Sequence, residues 1–170
     1  MIDRIRANAR AHELLVDVFD FDIARVEHVE PVRLASGGDL RPVAGDASGG
    51  TFFVCGGPVL YASSEGSAGI LAADLNGLVE LVVGIPIWHD VVSSISDPVA
   101  MRADFDSAYE ELKEYEPEID ERRAEAVVEL GLTEVSVDEL LARLRSSLTD
   151  LSPNYVLLNE EGDEYERLGE

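Results

Sequence analysis

The segment AGDASGGTFFVCGGPVLYASSEGSAG, Ala44 to Gly69, decides between two readings of the chain. GDASGG is one residue away from the Gly-Asp-Ser-Gly-Gly signature around a serine-protease nucleophile. Here Ala47 separates Asp46 from Ser48, which moves the hydroxyl and the oxyanion-hole donors out of that register. A nucleophile elbow, G-x-S-x-G, is absent as well, because GSAG at 66–69 has the wrong spacing. Asp and Gly instead supply the backbone freedom that tight turns need. TFFVC and VLYAS are dense in β-formers and stand on either side of GGP. The segment therefore reads as short strands joined by Gly-rich turns, an antiparallel meander.

Working outward, LRPVAGD predicts a short strand before the Asp46 turn, and ASGGD a turn before that. IARVEHVEPVRL is ambiguous: Ile23, Val26 and Val29 recur every third residue, and Pro31 argues against a central strand. Residues 3–19 predict one helix, with Ile5, Ala9, His12, Leu15 and Phe19 on one face. Downstream, SEGSAG predicts a turn leading into the strand ILAAD. Asp74 can cap a helix whose apolar positions are Leu75, Leu78, Val79, Val82 and Val83. Pro86 ends it and IWHDVVSSI continues as another helical piece. Asp97 and Pro98 suit the cap and first turn of a long helical region that Pro117 divides in two. Ser136 and Glu139 form a capping box for the helix carrying Leu140, Leu144 and Leu148. YVLLNEEGDEYERL predicts a final strand and an acidic turn.

The length, 170 residues, suits one domain, and 46% hydrophobic residues set the chain apart from a disordered tail. Its single cysteine, Cys55, excludes an internal disulfide and a multi-cysteine zinc site. No signal peptide is expected in the charged N-terminal stretch, and LVELVVGIPIW is interrupted by Glu80 and too short to span a bilayer. A cytoplasmic location is the expectation. With 13 basic and 35 acidic residues the net charge is −22, which makes nucleic acid and anionic membranes poor partners; it suits a basic protein partner, and solubility alone accounts for it equally well. The charge is uneven: residues 97–170 carry 22 acidic and 7 basic side chains.

Candidate chemistry is sparse. His12, His28 and His89 lie far apart and form no metal-ligand motif, so neither metal nor cofactor is expected. The Gly-rich pieces open no strand–helix unit of the dinucleotide-binding type. The run from Asp104 to Glu121 lacks the alternating ligand loop of an EF-hand. His89 and Asp90, in WHD, form the one pair on which an uncharacterised hydrolase could be built. Cys55 sits in a β-former run that points it into the core.

The stretch from about Leu40 to Val83 resembles the SUKH superfamily, bacterial immunity proteins related to a yeast regulator of cell-wall synthesis. The resemblance rests on Asp46, Gly49 and Gly50 in a D-x-x-G-G turn, and on Phe52 and Phe53 in the strand that follows. It continues with Val59 and Tyr61, and with Ala73, Leu75, Leu78 and Leu81 leading into and along a helix. It covers roughly a quarter of the chain, and it departs in the missing LP-x-x-[YF] opening and in SSEGSAG, which replaces an aspartate-rich turn. The long acidic region after Pro98 is no hallmark of the family. The resemblance implies binding without catalysis: occlusion of a cognate toxin, often a nuclease.

The expectation is a single SUKH-like α+β domain over residues 1–170, with an acidic helical part from about 97. An antiparallel meander of five or six strands would carry helices mainly on one face. The expected function is a non-enzymatic immunity or protein-binding module. The alternatives are a regulatory scaffold for an endogenous protein and the His89–Asp90 hydrolase. Asp104, Asp106, Glu110, Glu111 and Glu114 are the expected partner contacts, with Asp46, Tyr61 and Glu65 as a second group. Gly49 and Gly50 are expected to be structural, each allowing a tight turn, and Trp88 a buried anchor between the Asp74 helix and the sheet.

Overall fold

A computed structural model describes residues 1–169. The chain opens on two helices, α1 (Ile2–Ala7) and α2 (Ala9–Asp17), where the periodicity predicts one. Asn8 makes the break: its backbone is extended at φ −122° and ψ 98°, and its side chain accepts from the Ala11 amide as the cap of α2. The restart rotates the apolar face. Ile5, Leu15 and Phe19 are buried as expected, but Ala9 is exposed and His12 only half-buried, while Ala11 and Leu14 enter the core.

Five strands form the main sheet, which is mostly antiparallel and gives the chain mixed α+β character. After β1 (Arg33–Leu34) come β2 (Arg41–Gly45), β3 (Thr51–Val54), β4 (Val59–Ala62) and β5 (Ser67–Ala72). These last four pair in sequence, as a meander should. Pro42 is tolerated because β2 is an edge strand. The turn before β5 is shorter than SEGSAG, since Ser67, Ala68 and Gly69 already pair with β4. Register shifts at Val43 and at Leu71 put two consecutive residues on one side, so Val43 and Ala44, and Leu71 and Ala72, share one core cluster.

The end of the chain departs from the expected single strand. It divides into β6 (Leu157–Leu158), antiparallel to β1 in a separate two-stranded sheet, and β7 (Glu166–Arg167), parallel to β5 at the edge of the main sheet. The acidic turn between them is tied by the Asn159 side chain, which accepts from the amides of Gly162 and Asp163. Two apolar clusters result. One joins Phe52, Tyr61 and Leu71 to the helices. The other joins Phe53, Leu60 and Ile70 to Leu34 and Leu157 of the small sheet, with Cys55 among them.

The cap residues act where the sequence puts them. Asp74 Oδ1 accepts from the Gly77 amide at the start of α3 (Leu75–Gly84). The chain bends at Pro86 into α4 (Trp88–Val91) and a 3₁₀ turn at Val92–Ser94. Asp97 caps α5 (Pro98–Tyr115), and Pro117 lies in the gap before α6 (Ile119–Leu130). Ser136 Oγ accepts from the Glu139 amide at the start of α7 (Val137–Ser146), but the Glu139 side chain turns to Arg143, leaving half a capping box. α7 runs on into a π-helical turn, Ser147–Leu151. Among the described residues no single helix is long and apolar enough to cross a membrane.

Candidate functional site

Asp46 follows β2 and begins the turn that leads into β3. Its backbone amide bonds to the Gly50 carbonyl, which closes the turn. Its carboxylate is buried, 2% exposed, and accepts three hydrogen bonds: Ser48 Oγ at 2.7 Å and the Gly50 amide at 2.8 Å on Oδ1, and Tyr61 Oη at 2.7 Å on Oδ2. A buried carboxylate is stable only when its oxygens are occupied in this way. Burial, and then the bond to Asp46, pushes the Tyr61 phenol above its ordinary value.

The His89 imidazole stands beside the Asp46 carboxylate, with Nε2 3.9 Å from Oδ2. α4 supplies it, and the ring stacks on Trp88 at 3.5 Å while facing Tyr61 edge-on at 5.3 Å. Burial among these rings lowers the His89 pKa, against the pull of Asp46, Asp20 and Asp90. Trp88 itself is 3% exposed and packs edge-on against Tyr61 and Phe52 of the sheet. His89 therefore faces Asp46, while Asp90, its expected partner, is exposed. Ser48 donates its proton to Asp46, so the carboxylate lies between hydroxyl and imidazole. A Ser-His-Asp triad has the imidazole in the middle. A shallow pocket of about 300 Å³ opens above this cluster, lined by Ser48, Tyr61, Ser64, Glu65 and His89.

On its other side α4 packs against α5. Between them runs a groove of about 450 Å³ lined by Ile87, Asp90, Asp104, Glu111, Leu112 and Tyr115, with Ser93, Ser107 and Ala108 completing it. Among the described residues no Lys or Arg lines it. Asp104 accepts from Ser94 Oγ, and Tyr115 is 82% exposed. Of the expected contacts on α5 only Asp104 and Glu111 line this groove, while those around Asp46 lie by His89 of the same short helix.

The expected contacts are not equivalent. Asp46 and Tyr61, each 2% exposed, have almost no surface to present and form the frame of the site. Glu65 is exposed at the pocket rim. Asp106 pairs with Arg102 at 2.9 Å and Glu110 with Lys113 at 3.3 Å, while Glu111 and Glu114 enter no ion pair among the described residues. Gly49 and Gly50 do belong to the turn. Only Gly49 has positive φ, +90°, whereas Gly50 lies against the Tyr61 ring. Cys55 is buried and its thiol is pushed up to about 11 by desolvation, which keeps it protonated.

Asp90 and Tyr115 both line the groove, and the sequence carries no local signal that would bring them together. In the sequence Asp90 stands out only as the neighbour of His89, and Tyr115 is the last residue of α5, where helical periodicity gives no reason to expect exposure. Among the described residues no group of three or more His, Cys, Asp or Glu is placed to hold a metal ion. No family model, curated protein or solved structure matches the chain.

Proposed function

We propose that the chain is a non-enzymatic protein-binding module of the SUKH-like kind, an immunity protein that neutralises a basic toxin, such as a nuclease, by occluding it in the cytoplasm. The observation that carries this reading is the groove between α4 and α5. Asp90, Asp104 and Glu111 surround an apolar floor at Leu112 and Ile87, no cation lines it, and Tyr115 stands exposed at its rim. Carboxylates without cationic partners attract a basic surface over distance, and an exposed aromatic beside them is the type of residue that anchors an interface. A nuclease offers the complementary surface, because its phosphate-binding groove is basic.

The polar groups around Asp46 support binding over catalysis. Their hydrogen bonds are spent within the turn, and Ser48 does not contact the base it would need as a nucleophile. The test uses the protein encoded beside this chain. Wild type should bind it and protect cells that express it, and Asp90→Lys/Glu111→Lys should lose both. Binding without protection would favour a regulatory scaffold. Hydrolysis in a broad substrate screen that His89→Ala abolishes would overturn the proposal.

A further inference from the structure

α4 has a pocket on one side and a groove on the other, and its adjacent residues His89 and Asp90 line one each. We infer that His89 is a proton-operated latch: on gaining a proton its imidazole closes onto Asp46 Oδ2 and draws α4, with Asp90, away from α5. The geometry leaves a gap for this movement. His89 Nε2 lies 3.9 Å from Asp46 Oδ2, beyond hydrogen-bond length. Ser48 Oγ and the Gly50 amide both bond to Oδ1, so Oδ2 holds only the Tyr61 hydroxyl and keeps acceptor capacity. An imidazolium Nε2–H would fill it with a charge-assisted bond, about 1 Å shorter than the present separation.

Rotation of the side chain alone would give up its stacking. The ring lies on the Trp88 indole, 3.5 Å between centroids and 29° between planes, with Tyr61 edge-on at 5.3 Å. Trp88 is fixed in turn against Phe52 and Tyr61. The backbone of α4 therefore takes up the approach, and it is suited to: it has four residues, follows Pro86 and has no side-chain cap at Ile87. Among the described residues, the charged groups that face α4 are acidic. Asp46, Asp20 and Glu65 stand on the ring's side, and Asp90, Asp104 and Glu111 on the groove's. Tyr61 stays a neutral phenol, because burial and its bond to Asp46 raise it. Burial holds His89 below its ordinary 6.5 against the pull of Asp46, Asp20 and Asp90. The latch is thus open at neutral pH and closes in acid. Closure displaces Asp90 and adds a positive charge beside the groove, which weakens its hold on a basic surface. That consequence rests on the groove being the docking face, and the latch itself does not.

A pH titration of the partner-free chain tests this. Trp88 is the only tryptophan, so its emission reports on the ring stacked against it. An imidazolium quenches a stacked indole by accepting an electron from its excited state, and a neutral imidazole does not. Lowering the pH from about 8 to about 5 should quench Trp88 with a midpoint below 6.5. In ¹H–¹⁵N spectra the amides of Asp90, Ser93, Ser107 and Leu112 should shift with the same midpoint. A His89 Nε2–H resonance, sheltered from exchange by the bond to Asp46, should appear at the acid end. His89→Gln should abolish both titrations. Asp46→Asn, its folding checked by a thermal melt, should keep the Trp88 quenching and lose most of the groove shifts, since the proton remains and its charged acceptor does not. Groove amides that move as far in Asp46→Asn as in wild type would show the proton acting through its field alone, which overturns the latch. Groove amides that stay still in wild type, or that titrate unchanged in His89→Gln, would overturn it too. If Asp46→Asn does not fold, the Nε2–H resonance decides: its absence at the acid end sinks the latch.

Discussion

Tyr61 Oη donates to Asp46 Oδ2 at 2.7 Å, and both residues are 2% exposed. This bond ties the turn after β2 to the middle of β4, and it brings Tyr61 under Trp88 at 4.9 Å. Removing the phenol oxygen leaves a buried carboxylate short of one donor. Tyr61→Phe should lower stability by about 1.5–3 kcal/mol, the range for hydrogen bonds to charged groups. Urea denaturation measures it, and an unchanged midpoint would mean that Ser48 and Gly50 satisfy Asp46 on their own.

Gly49 and Gly50 serve the same turn for different reasons. Gly49 has φ +90°, where a side chain is strained, yet a Cβ there would only approach Ser64 at 3.4 Å. At Gly50 a Cβ would overlap Tyr61 Oη and stand 2.5 Å from its Cζ. Gly49→Ala should cost about 1–2 kcal/mol, the ordinary penalty for a left-handed backbone. Gly50→Ala should exceed it by about 1–3 kcal/mol, since it must displace the Tyr61 ring. Equal denaturation midpoints for the two variants would show that the ring has room to move.

Much of this architecture is legible in the sequence because local chemistry sets it. Asp74, Asp97 and Ser136 cap helices through bonds within three residues, and Pro117 stops α5 by covalent geometry. What is not legible depends on contacts distant in sequence. Asn8 breaks a run whose apolar spacing suits one helix, and its side-chain amide bonds to the Glu129 carbonyl across 121 residues. The parallel pairing of β7 with β5 has no local signal, nor do the register shifts at Val43 and Leu71. The candidate site divides the same way. The Asp46 turn is local, but only folding places α4 between that turn and the acidic face of α5.

His28 closes another long-range link. Tyr165 Oη donates to Glu30 at 2.7 Å, so it accepts from His28 Nε2–H at 3.1 Å, and His28 Nδ1 accepts from Thr51 Oγ1 at 3.0 Å. This describes a neutral ring. Burial lowers the His28 pKa below its ordinary 6.5, against the pull of Glu30. As pH falls through about 6.5 the unfolded chain therefore takes up the proton first, and stability declines until the lower folded pKa is reached. NMR titration should give His28 a midpoint below 6.5, and His28→Gln should flatten the fall of the urea midpoint between about pH 7 and pH 5. A titration midpoint above 6.5 would mean that Glu30 outweighs burial.

Some carboxylates of α4 and α5 are free to act on a partner and others are already engaged. Asp106 and Glu110 are paired with Arg102 and Lys113, so neutralising them removes little field that is not already offset. Asp90 and Glu111 face the groove with no cation beside them. Asp90→Asn/Glu111→Gln should therefore slow association with a basic partner by about tenfold at low salt, and Asp106→Asn/Glu110→Gln by much less. At about half-molar salt, where the Debye length is well under 8 Å, the difference should nearly vanish. Stopped-flow mixing at the two salt concentrations measures it. Equal losses from both pairs would mean that the partner senses the whole acidic helix. No loss from either would move the contact across α4 to the pocket rimmed by Glu65 and His89.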